Sequence, residues 1–245
     1  MTFARVLFTS LIVPLIAATY AAAASDPVPL SSCGVVGSGT YYLESDLDCS
    51  GAPGGAIEFI DRGRIELRGF TITGDSAQSA VRCQKRCDVV GPGVLDGAGV
   101  ELAAVATIDG ITIRNAYVAV DAENVDSGRG TARITNSIFV DNEFGVLVSR
   151  YARLIDSSVT GSQRDGVWAN GYVRKGPSGP CRGRIVLENS DISGNGLAGD
   201  VCGSHDRPCV DVASCKPPVL DALSSCERSF RFGSIEESWG VCTLD

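Results

Sequence analysis

The sequence predicts an all-β fold, a single-stranded right-handed parallel β-helix of about seven coils with disulfide-rich caps at both ends. Three observations predict this solenoid. A short segment recurs along the chain about every two dozen residues. Glycine is abundant, at 29 of 245 residues, and the apolar residues are mostly Val, Ile, Leu and Ala, which suits short strands joined by tight turns. Ten cysteines are present, and none lies between residues 88 and 180.

The recurring segment has six copies that share one pattern. A turn-prone residue is followed by a residue that is small in four of the six copies, then by a variable, an apolar and a variable residue, and last by Gly, Asp or Asn. A short apolar strand precedes the segment, as at 65–67, and a second strand follows it, as at 144–148. Such strands can bury their inner faces only by stacking on further copies, which is the physical basis of a solenoid. The copies occupy residues 69–74, 92–97, 110–115, 136–141, 156–161 and 189–194.

A β-sandwich is the structural alternative, because it also contains many short strands. The correlated two-strand repeat disfavours it. Leucine-rich and helical repeats fit poorly, because no fixed leucine spacing occurs and helical apolar periodicity is nearly absent before residue 210.

The first 24 residues are typical of a secretory signal peptide. Arg5 supplies a positive charge, an apolar stretch covers 6–18 and small residues fill 21–24, so we expect cleavage before Ser25. An uncleaved anchor is the alternative, but the apolar stretch is shorter than the roughly 20 residues that a membrane span needs. We therefore expect a secreted or periplasmic protein with no membrane segment after cleavage. The predicted domains are a signal peptide at 1–24, an N-terminal cap at 25–54, the β-helix at 55–200 and a cysteine-rich C-terminal cap at 201–245.

An even number of cysteines behind a signal peptide predicts disulfides formed in an oxidising compartment. We expect a bridge between Cys33 and Cys49 in the N-terminal cap and one between Cys83 and Cys87 across a tight turn. The pairing of the other six stays open. A zinc site around His205 is the competing interpretation, but the secretory context favours disulfides, so no metal site is predicted. The six are Cys181, Cys202, Cys209, Cys215, Cys226 and Cys242.

The charge balance is acidic, with 21 Lys and Arg against 29 Asp and Glu and a net charge of −8. Non-specific nucleic-acid binding depends on neutralising phosphates, so this balance argues against a nucleic-acid partner. Basic residues nevertheless concentrate late in the predicted coils. They are Arg150, Arg153, Arg164, Arg174, Lys175, Arg182 and Arg184.

The coils at 55–200 resemble those of the pectate-lyase-like superfamily, in segments such as Asn-Ser-Asp-Ile-Ser-Gly at 189–194 and in the Gly-Val strands that follow. The Cys-Gly-Val at 33–35 and the closing residues 238–242 resemble the ends of secreted bacterial members of uncharacterised type. The resemblance implies the right-handed β-helix fold. It leaves activity open, because the superfamily contains lyases, hydrolases and epimerases of acidic polysaccharides together with non-catalytic proteins.

Hallmarks of those enzymes are missing from the sequence. The related hydrolases carry paired aspartates and a Gly-His-Gly, and this chain has neither. A lyase needs a base and a group that neutralises the substrate carboxylate, either Arg or a Ca²⁺ ion held by several carboxylates. We therefore predict no cofactor. A Ca²⁺ ion is expected only if the protein is a lyase. The Tyr, His and Asp cluster of an alginate epimerase is not recognisable.

Candidate ligand contacts lie among the later coils. Arg150-Tyr151 and Arg164-Asp165 follow equivalent positions in adjacent coils, so we expect the two pairs to lie near one another. A further carboxylate and an aromatic ring, which can stack on a sugar, lie close by in the sequence. The simpler interpretation is that these residues are solvated and form ion pairs between coils. The candidate carbohydrate-binding residues are Asp141, Arg150, Tyr151, Arg164, Asp165 and Trp168.

The sequence thus favours a secreted, non-catalytic β-helix protein that is structural or binds a polysaccharide. The alternative is a polysaccharide lyase or epimerase that acts on an acidic polymer. The ligand, the oligomeric state and any catalytic residue stay open at this stage.

Overall fold

A computed structural model describes residues 26–52, 57–75, 79–102, 105–123, 130–169, 182–197, 201–202 and 207–231. Every regular element in this part of the chain is a β-strand. Across the same residues, no helix has the length and hydrophobicity needed to span a membrane. The predicted signal peptide at 1–24 lies outside the described residues.

The strands are short, and most contain two to five residues because a turn-forming residue interrupts each apolar run. Two long strands, β9 and β11, are the exceptions. The strands are β1 Val28–Leu30, β2 Gly34–Val36, β3 Gly39–Leu43, β4 Leu47–Asp48, β5 Ile57–Phe59, β6 Gly63–Glu66, β7 Thr71–Thr73, β8 Ser79–Cys83, β9 Arg86–Asp96, β10 Gly99–Leu102, β11 Val105–Arg114, β12 Val118–Ala122, β13 Thr131–Thr135, β14 Ile138–Val140, β15 Phe144–Val148, β16 Tyr151–Ile155, β17 Ser158–Thr160, β18 Val167–Ala169, β19 Arg184–Glu188, β20 Asp191–Ser193, β21 Val201–Cys202, β22 Arg207–Pro208, β23 Val212–Ser214, β24 Val219–Leu220, β25 Ser225–Cys226 and β26 Ser229–Arg231.

Two large parallel sheets contain nearly all of these strands. The main path of the first sheet runs β1-β3-β6-β9-β11-β13-β16-β19-β24, and a branch adds β4, β7, β14, β17, β20 and β25. The second sheet runs β2-β5-β8-β10-β12-β15-β18-β23-β26. An antiparallel pair, β21 and β22, stands apart.

The chain visits the main path, the branch and the second sheet in turn. Strands β13, β14 and β15 form one such repeat, and they pair in parallel with β16, β17 and β18 of the next. Three turns connect these strands in each repeat. Corner 1 is the turn from the main path to the branch, and corner 2 is the turn from the branch to the second sheet. Corner 3 is the turn from the second sheet to the main path of the next repeat. The structure is therefore all-β with stacked parallel strands, an arrangement compatible with a β-solenoid.

The core consists of register rows that take one apolar residue from each repeat. Alternate residues of a strand point to opposite faces, so each row lies on the inner face while its neighbours face outward. In three rows, every residue is at most 1 % exposed. The rows are Ile108, Ile134, Leu154 and Leu187; Ile113, Phe139, Val159 and Ile192; and Val120, Val146, Val167 and Val212.

Corners 1 and 2 use residues that tolerate a positive φ. Asn136 at corner 1 has φ 51°, and Asp141 at corner 2 has φ 55°. A short polar side chain or a glycine adopts this left-handed conformation at low cost, which explains why Asn, Asp and Gly recur there. The equivalent residues are Gly110, Asp156 and Asn189 at corner 1, and Asn115, Gly161 and Gly194 at corner 2.

Disulfides join the early repeats. Cys33 is bonded to Cys49 and Cys83 to Cys87, as expected from the sequence. Cys209, Cys215 and Cys226 are also disulfide-bonded. Cys181, Cys242 and the side chain of Cys202 lie outside the described residues. These bonds indicate an oxidising, extracellular environment.

Parallel pairing extends beyond residues 55–200 at both ends. Strands β1 to β4 precede this range, strands β23 to β26 follow it, and all of them belong to the two large sheets. The regions expected to be caps therefore contribute strands to the stack.

Candidate functional site: a basic groove at corner 3

A groove of about 340 Å³ lies at corner 3 of the later repeats. Arg150 and Tyr151 enter it from the turn between β15 and β16, and Arg184 enters from the start of β19. Arg182 and Lys216 complete its basic wall. Thr131 at the start of β13 is the remaining lining residue. We call this set the basic groove.

Backbone hydrogen bonds hold the groove residues in a stack. The Arg150 N–H donates to the Gly130 carbonyl at 3.0 Å, and the Arg184 N–H donates to the Arg150 carbonyl at 3.0 Å. The Lys216 N–H donates to the Gly183 carbonyl at 3.2 Å. The basic side chains therefore come from three successive repeats, which are spaced by roughly 4.8 Å, the distance between paired strands.

Glycine is required where corner 3 turns. A side chain at Gly130 would overlap the carbonyl oxygen of Ala122, and one at Gly183 would overlap that of Ala169. These contacts are to backbone, which cannot move without breaking the stack. Glycine thus allows the chain to pass close beneath the previous repeat and to project the next residues into the groove.

The four cations of the basic groove lack a counterion in the described structure. Arg150, Arg182, Arg184 and Lys216 form no ion pair with any residue of the described ranges. Among the residues that the structure describes, no carboxylate lines the groove. Like charges held close together repel, so this arrangement favours an anion between them.

Tyr151 lies at the centre of the groove. Its register partners are Thr131 on one side and Arg184 on the other, and its side chain is half-buried. A tyrosine in this position offers an apolar ring face together with a hydroxyl that can donate or accept a hydrogen bond. Both properties suit contact with a sugar ring.

Other basic residues of the sequence cluster form ion pairs between repeats. Arg153 binds Glu188 with a closest distance of 2.7 Å, and Arg164 binds Glu143 at 3.1 Å. The Arg164 guanidinium also lies 5.0 Å from the centre of the Phe144 ring. Arg174 and Lys175 lie outside the described residues.

The structure separates the two residue pairs that were expected to be neighbours. Arg150 and Tyr151 lie at corner 3, whereas Arg164 and Asp165 lie at corner 2, as does Asp141. The five residues of β15 separate these corners, a distance of about 16 Å at roughly 3.3 Å per residue. The expected proximity was wrong because Arg150 follows the second-sheet strand of its repeat while Arg164 precedes that of the next.

Two further candidates make contacts within the protein and do not line the basic groove. Asp165 is completely buried, and its carboxylate accepts a hydrogen bond from the Val210 N–H at 3.0 Å. Trp168 is half-buried against Val210, Ala213 and Cys215. Asp165 therefore supports the chain fold at corner 2, and Trp168 packs on the outer face of the second sheet.

Lys216 was missed by the sequence-based reasoning. It lies 66 positions after Arg150, in a segment expected to be a separate cap. Only the pairing of β23 with β18 and of β24 with β19 brings this segment into the stack and Lys216 to corner 3. No local signal in the sequence marks that placement.

A second surface depression, of about 450 Å³, lies at corner 1. The amide side chains that line it donate hydrogen bonds to carboxylates of the preceding repeat. Asn136 donates to Asp109 at 3.0 Å, and Asn189 donates to Asp156 at 2.6 Å. Hydrogen bonds from Thr135 and Asn136 lower the pKa of Asp109 below its ordinary value. These groups form a structural ladder along the stack.

Within the described ranges, no group of three or more His, Cys, Asp or Glu side chains is arranged to hold a metal ion. Comparisons with protein-family models, with curated proteins and with solved structures find no match to this chain. The fold and the basic groove therefore define the protein only as an all-β protein of stacked parallel strands with a cationic surface site.

Proposed function

We propose that this protein is a secreted, non-catalytic β-helix that binds an acidic polysaccharide in the basic groove. One observation carries the proposal: four cations that form no ion pair with the described residues converge around a tyrosine, on a protein whose net charge is −8. Arg150, Arg182 and Arg184 would bind carboxylate or sulfate groups through bidentate hydrogen bonds. Tyr151 would pack against a sugar ring.

The proposal includes the right-handed β-helix of the pectate-lyase-like type. Parallel strands joined through a crossover in one sheet are right-handed in roughly 98 % of cases, which supports this hand. The main path and the second sheet each have nine strands, so we infer nine coils where the sequence predicted about seven. Three strands of each set lie in the ends expected to be caps: β1, β3 and β24 of the main path, and β2, β23 and β26 of the second sheet.

Binding of polymer fragments to the purified mature chain tests the function. Oligogalacturonate, oligoalginate, hyaluronan and heparin fragments are titrated by calorimetry at low and at physiological salt. We expect at least one acidic fragment to bind and neutral dextran not to bind. We expect affinity to fall as salt rises, because exposed charge interactions are screened beyond roughly 10 Å at 0.1 M salt.

Variants of the groove locate the binding. Arg150→Ala and Arg184→Ala each remove a charged donor, and we expect about a tenfold loss of affinity from each, since a hydrogen bond to a charged group contributes roughly 1.5–3 kcal/mol. Arg62→Ala is the matched control, because Arg62 is an exposed arginine at corner 3 of an early repeat, far from the groove. Equal losses from Arg62→Ala and Arg184→Ala would contradict a site in the groove.

A polysaccharide lyase or epimerase remains the alternative. The groove supplies arginines that would neutralise a substrate carboxylate, but its described lining contains no carboxylate for a Ca²⁺ ion or a general base. Release of unsaturated uronate ends from pectate, alginate or hyaluronan would favour this alternative, and Tyr151→Phe would then show whether Tyr151 takes part.

A further inference from the structure

Prolines lie in or beside the end strands of the first sheet. Strands β1 and β24 are the end strands of its main path, and each pairs with only one main-path strand in the described structure. Pro27 and Pro29 lie at β1, and Pro217 and Pro218 immediately precede β24. Among the main-path strands between them, only β9 contains a proline, Pro92, at the point where the register with β11 shifts.

The prolines of β1 face away from the stack. Pro29 pairs in register with Tyr42 but has no N–H, so the bonds to β3 must come from the Val28 carbonyl and the Leu30 N–H. Successive residues of a strand direct their backbone groups to opposite sides. Pro27 and Pro29 therefore point outward, and the outer edge of Pro27 to Leu30 offers carbonyl groups but no N–H donor.

The opposite end strand has the same arrangement. The Asp221 N–H donates to the Leu187 carbonyl at 3.2 Å, so Val219 and Asp221 face β19. Pro218 and Leu220 then face outward. Leu220 is the single outward N–H donor of β24, because Pro218 has none.

We propose that Pro27, Pro29 and Pro218 are end stops that keep the stack from joining a second copy of this chain end to end. An exposed edge strand is a template for pairing with another strand, because its unpaired N–H and C=O groups fit those of a partner. Removing the donors on the outer side deprives an incoming strand of about half of its ladder hydrogen bonds. Proline at these outward positions leaves the N–H groups of the inner side free to pair with β3 or β19.

Replacement of the prolines tests the proposal independently of ligand binding. Pro27→Thr with Pro29→Thr restores two outward donors at β1, and Pro218→Thr restores one at β24. Threonine favours strands without adding a large apolar surface. Val28→Thr is the matched control, because it alters the same strand while its N–H faces β3.

Light scattering after size exclusion measures the mass of each protein, and circular dichroism reports its folding. We expect the unmodified chain and Val28→Thr to be single chains, and the proline variants to show about a twofold or greater increase in average mass. Proline variants that are folded and remain single chains would overturn the proposal. Association of the unmodified chain to the same extent would also overturn it. If the β1 variant does not fold, Pro218→Thr alone decides between these outcomes.

Discussion

Asp121 is a carboxylate whose burial lowers the stability of the folded protein. It faces outward on β12, beside Glu101 of β10 and before Leu147 of β15 in the same register row. Burial, and to a lesser extent the negative charge of Glu101, raises the pKa of Asp121, although a hydrogen bond from the Glu123 N–H opposes the shift. The charged form is thus less stable in the folded protein than in the unfolded chain.

We expect Asp121→Asn to stabilise the protein at neutral pH by roughly 0.5–1 kcal/mol. The folded pKa lies above the unfolded value of 3.8, so the penalty is absent well below pH 3.8 and grows as pH rises through the folded pKa. The denaturant midpoints of both proteins should therefore converge at low pH and separate at pH 7. A difference that is largest in acid would contradict the assigned sign.

At the scale of an element, serine hydroxyls at corner 1 accept hydrogen bonds from backbone N–H groups of the neighbouring repeat. The Ser137 N–H donates to the Ser157 hydroxyl at 3.2 Å, and the Ser157 N–H donates to the Ser190 hydroxyl at 3.2 Å. The Ser157 hydroxyl itself donates to the Ile155 carbonyl at 2.7 Å. Each serine thus satisfies a buried N–H of the previous repeat, where the turn interrupts the ladder of the sheet.

Ser157→Ala should destabilise the protein by about 1–3 kcal/mol, because it leaves the buried Ser137 N–H without its acceptor. Ser158→Ala is the matched control. Ser158 is the next residue, its side chain lies on the outer face, and its substitution should change stability by less than about 0.5 kcal/mol. Urea unfolding of the two variants measures the difference, and similar losses in both would show that the hydroxyl ladder carries little energy.

The sequence identifies most of the strands but not all of their limits. The strand expected at 144–148 is β15, and the segments at 136–141, 156–161 and 189–194 each contain a branch strand with a corner on either side. The segments at 92–97 and 110–115 differ, because β9 and β11 run through corner 1 without a break. There the backbones of Gly91 and Gly110 approach so closely that a side chain at Gly91 would overlap the Gly110 carbonyl. A pattern of residue types does not reveal such a close contact between repeats.

At the scale of the whole molecule, the stack is quasi-one-dimensional, since each repeat contacts mainly its neighbours. A disulfide near one end of the stack should therefore stabilise mainly the repeats at that end. The Cys33–Cys49 disulfide, with a sequence separation of 16, joins two successive early repeats.

We expect Cys33→Ala with Cys49→Ala to reduce stability by about 3 kcal/mol, the value that chain entropy gives for a loop of this size. Hydrogen exchange should rise more in β1 to β5 than in β16 to β19, because the early repeats lose the constraint directly. An equal rise along the whole stack would mean that the chain unfolds as one cooperative unit.

The sequence by itself determined the all-β class, the apolar inner faces of the strands and the turns between them. These features follow from local chemistry, because alternating Ile, Val and Leu must be buried, and because Asn, Asp and Gly tolerate a positive φ. It also indicated which early cysteines pair, since Cys83 and Cys87 are separated by only four positions.

Only the tertiary structure decided which charges share a site. Arg150 and Arg164 belong to one basic stretch of sequence, yet they lie at different corners, while Lys216 joins Arg150 from 66 positions away. The lengths of the turns fix how many residues pass before the chain returns to a given corner. Because those lengths differ from repeat to repeat, the side chains that meet at corner 3 follow from strand register across the stack and not from proximity along the chain.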